Sequence, residues 1–302
     1  MDINKMVVKV PASVGNVGSG FDCSGLSLNV FNEFIVEKNI KNSFILSNKV
    51  SQESETKTGE FFMYAFNLGL KFLGKTPFNV KVEMLNRIPF RRGFGSSGTI
   101  ILGALISAFK LSGHQIKKDT LLKLAVEIET HIDNLAASLY GGFVFGFSEK
   151  DKIVTYKISP PKDMRVVAYI PEFELSTSDA RNVLPSKVPL SDAVYNLCSF
   201  GFLCTAFSSG NLELLKYGTR DKLHQTYRGE LMGYLEKLTR LNSKNLLGAC
   251  LSGAGPSVIF FTQKKMQESA VKEVEDKIKE DQLKGEVKLF ATGGKTVWKV
   301  LT

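Results

Sequence analysis

Between Pro89 and Leu111 the chain reads PFRRGFGSSGTIILGALISAFKL, and this stretch limits the fold more than any other. Residues 99–111 are small or apolar almost without exception. They predict a buried helix, stopped by Ser112-Gly113. The lead-in carries Gly93, Gly95 and Gly98 with Ser96 and Ser97. Glycine lets the backbone take positive φ and approach a ligand closely. A helix N-terminus offers free N–H groups and partial positive charge. Together these make an anion site, where the hydroxyls of Ser96 and Ser97 can meet a phosphate oxygen or Mg2+. No Lys follows the second glycine, so this is not a P-loop, and no βαβ unit surrounds it. Taken alone, the loop is explained equally well as a serine N-cap with a flexible lead-in.

The rest of the composition narrows the class. A chain of 302 residues suits two ordinary domains or one large one. Its 43% hydrophobic and 23% charged residues are those of a globular protein. The net charge of +9 comes from scattered lysines with no run of five like charges. That reads as a solvated surface that attracts an anionic substrate, not a nucleic-acid footprint. The four cysteines form no C-x-x-C pair and no spaced Cys/His set, which fits reduced thiols in a cytoplasm. The start MDINKMVVKV lacks the apolar core of a signal peptide, and no stretch of 18 apolar residues predicts a membrane span.

Periodicity predicts strands at 7–10, 32–37, 79–84, 143–147, 153–158, 165–170, 257–261 and, last, 287–290. Helices are predicted at 61–73, 99–111, 120–129, 134–140, 191–207, 212–217, 229–241 and 264–279. Residues 38–60 read as a polar hairpin or loop with a short strand at 44–46. Ser159-Pro160-Pro161 marks a domain boundary, giving domains 1–158 and 159–302. The order is mixed α+β, without strict βαβ alternation.

Two more glycine-rich segments tip the reading of the loop. One runs from Pro11 through Ser13, Gly15, Asn16, Gly18 and Gly20 to Asp22; the other is Leu251-Ser252-Gly253-Ala254-Gly255-Pro256-Ser257. Three such segments, with the P-x-x-x-G-F-G-S-S element at their centre, resemble the GHMP kinase superfamily over nearly the whole chain. Further motifs are similar to those of the homoserine kinase family: Glu129-Thr130-His131-Ile132-Asp133-Asn134 ahead of Gly141-Gly142; Thr177, Ala180, Arg181, Leu184 and Pro185; and Leu223-His224-Gln225-Thr226-Tyr227-Arg228. Phe94, Gly98, Thr130, Ile132 and Ser19 depart from the usual pattern without removing a polar group.

The resemblance implies a two-domain α+β fold, with an N-terminal half like ribosomal S5 domain 2 and a ferredoxin-like C-terminal half. It implies ATP and Mg2+, transfer to L-homoserine giving O-phospho-L-homoserine in threonine biosynthesis, and a homodimer. By it, Pro89, Arg91, Arg92, Gly93, Phe94, Gly95, Ser96, Ser97, Gly98 and Thr99 bind ATP, and Ser97 and Glu129 hold the metal. Asn16, Asp22, His131, Asn134, Thr177, Arg181, Arg228 and Gly253 bind the acceptor, with Asp133 and Asn134 catalytic. Chemistry agrees: a carboxylate wants a guanidinium fork, and an ammonium wants a carboxylate such as Asp22. Three questions stay open. Glu127 competes with Glu129, since the two nearly oppose each other on a helix. Asp133 is either a base or no base is used. The acceptor is homoserine or another alcohol such as mevalonate, or the chain is a silent nucleotide sensor.

Overall fold

A computed structural model describes residues 3–47, 51–150, 152–241 and 243–301. The first half is built on two long strands. β1 (Lys5–Gly15) and β2 (Ser24–Lys38) pair antiparallel, with Met6, Val8 and Val10 turned to the same buried side as Phe34 and Val36. β3 (Ser43–Leu46) leads to helix α1 (Gln52–Phe72) and then β4 (Val80–Leu85). β4 pairs antiparallel with β2 and parallel with β3. Helices α2 (Ser96–Leu111), α3 (Lys118–Ile128) and α4 (Ile132–Tyr140) pack on the sheet with α1. α2 is buried at every residue from Gly98 to Phe109, as its composition requires. The hairpin of β5 (Phe143–Glu149) and β6 (Lys152–Ile158) joins the far end of β2.

β7 (Met164–Pro171) opens the second half. Helices α5 (Thr177–Asn182), α6 (Leu190–Ser209), α7 (Leu215–Gly218), α8 (Gln225–Gly229) and α9 (Leu235–Thr239) follow. Then come β8 (Gly248–Leu251), β9 (Val258–Gln263), α10 (Gln267–Glu280), β10 (Gly285–Ala291) and β11 (Val297–Leu301). The second sheet is antiparallel in the order β10-β7-β9-β8. Alternation along β7 serves two cores. Val167 and Tyr169 face Val274 and Ile278 of α10, while Met164, Val166 and Ala168 share a cluster with Phe207 of α6. That second cluster also takes in Val14, Leu26, Phe94 and Phe143, so one apolar seam joins the halves. Burying each aromatic there contributes about 1.5–3 kcal/mol.

The structure differs from the sequence reading in several places, among them an earlier start of β2 and the unpredicted α5 and β8. β1 runs on through Pro11 because the ladder shifts register between Pro11 and Ser13, where the missing N–H costs nothing. α1 begins at Gln52, well inside the segment read as a loop, of which residues 48–50 lie outside the described residues. The predicted helix at 229–241 is broken, with α8 and α9 as short pieces either side of a turn. The strand at 287–290 is not the last. β11 returns to the first sheet and pairs antiparallel with β1, so a division at residue 158 separates the sheets at every described strand but this one.

Candidate active site

α1 and α2 lie against each other and begin in opposite ways. α1 is capped by Ser51, whose hydroxyl accepts the Ser54 N–H at 3.2 Å, and it carries Glu53 and Glu55 in its first turn. α2 has Gly95 at its N-cap with φ 64°, no side-chain cap and no acid in its first turn. Its first internal backbone bond runs from the Thr99 N–H to the Gly95 carbonyl at 3.2 Å. The Ser96 hydroxyl is buried and finds no partner among the described residues. This helix end presents the dipole and the free amides that favour an anion.

Glycine is required here on steric grounds. A Cβ on Gly93, at φ +84°, would stand 2.0 Å from the Ser252 carbonyl oxygen. One on Gly95 would stand 2.3 Å from the Ser13 hydroxyl. Those approaches tie all three glycine-rich segments together. The Ser13 N–H donates to the Phe94 carbonyl (3.1 Å), and the Gly253 N–H to the Gly15 carbonyl (3.0 Å). Ser252 Oγ donates to the Gly93 carbonyl (2.8 Å), and Asn16 Nδ2 to the Gly253 carbonyl (2.9 Å).

The start of α4 enters this knot. Asp133 accepts the Asn16 N–H at 3.0 Å and the Asn134 N–H at 2.8 Å. Its burial pushes the carboxyl up to about 6, only partly offset by those N–H donors and by His131. Between the ordinary value and about 6 the folded chain keeps a proton that the unfolded chain has lost. This group alone therefore makes the fold less stable as pH rises through that window. Asn134 Oδ1 accepts the Ser13 hydroxyl at 3.0 Å. Ser97 donates to Glu129 Oε2 at 2.7 Å, and His131 Nδ1 lies 3.3 Å from Oε1. The hydrogen bond to Glu129 raises the His131 pKa. Glu127 is exposed on α3 and has no such link to the loop among the described residues.

Across the knot lies a corner made of side chains. Asp22, at φ 54°, receives both Nη atoms of Arg181, at 2.7 and 2.9 Å. Asn16, also left-handed at φ 63°, holds the Asp22 N–H at 2.8 Å. Two such non-glycine residues so close together are backbone strain of the kind that gathers at functional sites. Arg228 is 1% exposed. Its Nε donates to the Ala180 carbonyl, and its Nη1 faces His224 Nδ1 at 3.0 Å and the Gly253 carbonyl at 3.3 Å. Nη2 makes no hydrogen bond among the described residues. His224 donates through Nε2 to the Gly18 carbonyl (2.9 Å), so Nδ1 is the acceptor; burial lowers its pKa and keeps it neutral. Both guanidinium groups lie over the Phe21 ring, at 5.7 and 5.4 Å, and His224 stacks on it at 5.1 Å. Asp22, Thr130, His131, Thr177, Ser178 and Arg181 line a cavity of ≈ 530 Å³ beside this corner.

The structure thus gathers Asn16, Asp22, His131, Asp133, Asn134, Thr177, Arg181, Arg228 and Gly253 around one place, with Gly93–Ser97 and Glu129 next to it. Several expected nucleotide contacts are otherwise engaged. Arg92 gives its guanidinium to the carbonyls of Pro171 (2.9 Å), Glu172 (2.5 Å) and Phe90 (3.3 Å), pinning the loop to the end of β7. Arg91 points outward, 3.7 Å from Glu174. Phe94 packs in the core near Phe290, and the Thr99 hydroxyl is bonded to Asn32 and the Ser96 carbonyl. Pro89 is half-buried just before the loop. Sequence reasoning assigned no site role to Phe21, Thr130 or Ser178. The side chain of Phe21 sits between groups far away in the chain, which no local pattern signals.

Residues 60–142, which hold the loop and Asp133, match the family described as GHMP kinases N terminal domain. Residues 206–280 match GHMP kinases C terminal. The chain is 37% identical to the homoserine kinase of Campylobacter lari, over 94% of this chain and 97% of that one. It is 38% identical to the homoserine kinase of Carboxydothermus hydrogenoformans, over 85% and 84%. Its fold is similar to the crystal structure of homoserine kinase from Cytophaga hutchinsonii, with a TM-score of 0.84 at 24% identity over 98% of each chain. It is also similar to the mevalonate kinase of Methanococcus jannaschii, with a TM-score of 0.67 at 15% identity over 98% of each chain. The chain belongs to the GHMP kinases and, within them, to the homoserine kinase family.

Proposed function

We propose that this chain transfers the γ-phosphoryl group of ATP to the hydroxyl of L-homoserine, giving O-phospho-L-homoserine and ADP, as a homodimer in the cytoplasm. The observation that carries the acceptor is the Asp22–Arg181 pair beside Arg228. An α-amino acid brings one ammonium and one carboxylate. Asp22 takes the first, and Arg181 with the free Nη2 of Arg228 takes the second. Mevalonate has a carboxylate but no ammonium, so taking Arg181 would leave Asp22 without a partner.

Phosphoryl transfer asks a protein chiefly for positioning and charge neutralisation. The open amides of α2 and the Ser96 hydroxyl hold the phosphates. Glu129 and Ser97 suit Mg2+, a hard ion that takes one or two carboxylates with phosphate and water. No larger set of His, Cys, Asp or Glu converges among the described residues. When bound, the ion neutralises charge between the phosphates. Asn134 orients the acceptor hydroxyl. That oxygen bonds to the γ-phosphorus as the bond to the β-phosphate oxygen breaks. Asp133 accepts the hydroxyl proton, with a pKa near 6 that leaves it ionised at neutral pH.

The test is a coupled assay with ATP, Mg2+ and a panel of homoserine, mevalonate and galactose, the product identified by mass and 31P NMR. Turnover with homoserine alone is expected. Turnover with mevalonate alone, or nucleotide binding without turnover, rejects the reading.

A further inference from the structure

Arg228 is buried without a carboxylate of its own. Burial brings its pKa down to about 10, so the guanidinium is still charged at neutral pH. A buried charge calls for compensation. Yet among the described residues every hydrogen bond of Arg228 ends on a neutral group. The three acceptors are the Ala180 carbonyl (3.0 Å), the Gly253 carbonyl (3.3 Å) and Nδ1 of His224 (3.0 Å). The nearby acid, Asp22, gives both its carboxylate oxygens to Arg181.

The local sequence puts His224 where it meets Arg228. The Asp221 carboxylate accepts the N–H groups of Leu223 (3.1 Å), His224 (2.8 Å) and Gln225 (2.7 Å), and so starts α8. His224 and Arg228 stand four residues apart across that turn, the spacing that brings side chains together. The Arg228 N–H closes the turn on the His224 carbonyl at 3.0 Å.

The ring itself is set from its other end. Nε2 donates to the Gly18 carbonyl at 2.9 Å, and the imidazole stacks on Phe21 at 5.1 Å and 20°. With the proton on Nε2, Nδ1 keeps a lone pair for the guanidinium. Asp221 Oδ2, 3.7 Å from Nε2, and Asp22 favour a charged ring. Burial and Arg228 oppose them, and the pKa is lowered. A proton on Nδ1 would set two cations 3.0 Å apart. Gly18 lies four residues before Asp22, so the imidazole also ties the segment that carries Asp22 to the one that carries Arg228.

The choice of histidine has a consequence for the acceptor. A phenylalanine would fill the space and stack on Phe21, but would leave Nη1 without this acceptor. A carboxylate would hold Arg228 more strongly and would cancel its charge. Only a neutral acceptor fixes the guanidinium and leaves the charge in place. We infer that His224 is a positioning residue of the acceptor corner, a neutral base that orients Arg228 through Nη1 and keeps Nη2 and the full positive charge for the substrate's carboxylate. This rests on the proposed reading of that corner, where Arg228 takes the carboxylate of homoserine.

Three substitutions at His224 separate this role from packing. In His224→Asn the amide Oδ1 stands at the place of Nδ1 and is a neutral acceptor. His224→Asp has the same shape and puts a charge there. His224→Gln reaches the place of Nε2 and keeps a donor for Gly18, but leaves Arg228 without the acceptor. Steady-state kinetics with ATP and homoserine are expected to show a KM for homoserine raised about tenfold or more in His224→Asp and His224→Gln. His224→Asn is expected to raise it by about threefold at most. In all three the KM for ATP and kcat hold. Thermal unfolding should rank the variants differently, because His224→Gln keeps the Gly18 bond that His224→Asn loses. A homoserine KM that simply follows Tm, or that is equal in the asparagine and aspartate variants, overturns the inference.

A measurement on the native chain needs no variant to fold. 15N NMR of the imidazole is expected to show a neutral ring with the proton on Nε2, among the three histidines of the chain. A proton on Nδ1 at neutral pH overturns the inference. A native chain that phosphorylates homoserine while the variants behave alike rejects the role of His224 and leaves the proposed function standing. A native chain that ignores homoserine rejects both.

Discussion

The two sides of the cleft are made of different material. On the nucleotide side the working groups are backbone amides at the start of α2, held by glycines whose missing Cβ atoms let Ser252 and Ser13 close in. On the acceptor side they are charged side chains from three segments, Asp22, Arg181 and Arg228, grouped around the Phe21 ring. The first side is preorganised and needs only an anion. The second neutralises itself: Arg181 is bidentate to Asp22, which spares the empty corner two unpaired charges. A zwitterion entering there replaces one internal pair by two external ones, while a ligand of single charge leaves a partner stranded. Backbone sets the general part of the reaction, and side chains set its selectivity.

That contrast can be broken by substitution. Asp133 stands at the seam, and Asp133→Asn is expected to have the largest effect, lowering kcat about 10²–10⁴-fold with both KM values held. Steady-state kinetics check it, and a near-native kcat removes Asp133 from proton transfer. The native kcat should also fall as pH drops through about 6, where Asp133 regains its proton, and the variant should lack that limb. Next comes Arg228→Ala, which takes a buried guanidinium from three hydrogen bonds and the substrate. A loss on the order of 2–5 kcal/mol in homoserine binding is expected, with a lower Tm and an unchanged KM for ATP. A parallel rise in the ATP constant would mean that the two sides are not separable.

Gly95→Ala probes the other side. A left-handed alanine costs about 1–2 kcal/mol before its Cβ displaces the Ser13 hydroxyl, so the KM for ATP should rise at least about fivefold, and by more than the KM for homoserine. Arg181→Ala should raise the homoserine KM by about fivefold, less than Arg228→Ala, because its side chain is 46% exposed and screened by water. The smallest effect belongs to Arg91→Ala, within about 0.5 kcal/mol on any constant. A large loss of ATP affinity there would show that the arginine turns inward when nucleotide binds.

The same division explains what could be read from the sequence. Gly93 and Gly95 announce themselves because positive φ and close approach are demands that only glycine meets, and both act locally. The charged members of the acceptor corner were legible as residue types in motifs, but their pairing was not. Nothing local says that Asp22 binds Arg181, or that Phe21 is their platform and not a core residue. Arg92 is a different case. The resemblance implies that it binds ATP, and in the structure three backbone carbonyls take its donors. The early start of α1 was visible in Ser51 with Glu53 and Glu55, a capped and acidic first turn hidden in a polar stretch. β11 was missed because five alternating residues mean little until β1 offers them an edge.

That returning strand bears on how the enzyme comes into being. Just before it, Thr296 donates twice to the Ser138 carbonyl on α4, and the Ser138 hydroxyl in turn contacts Ser13 beside Asn134. On a ribosome, β1 emerges early and waits for a neighbour made almost three hundred residues later. Until β11 is made, β1 lacks its partner on that edge and α4 lacks the hydrogen bonds of Thr296, so the surroundings of Asn134 are completed by the last described strand.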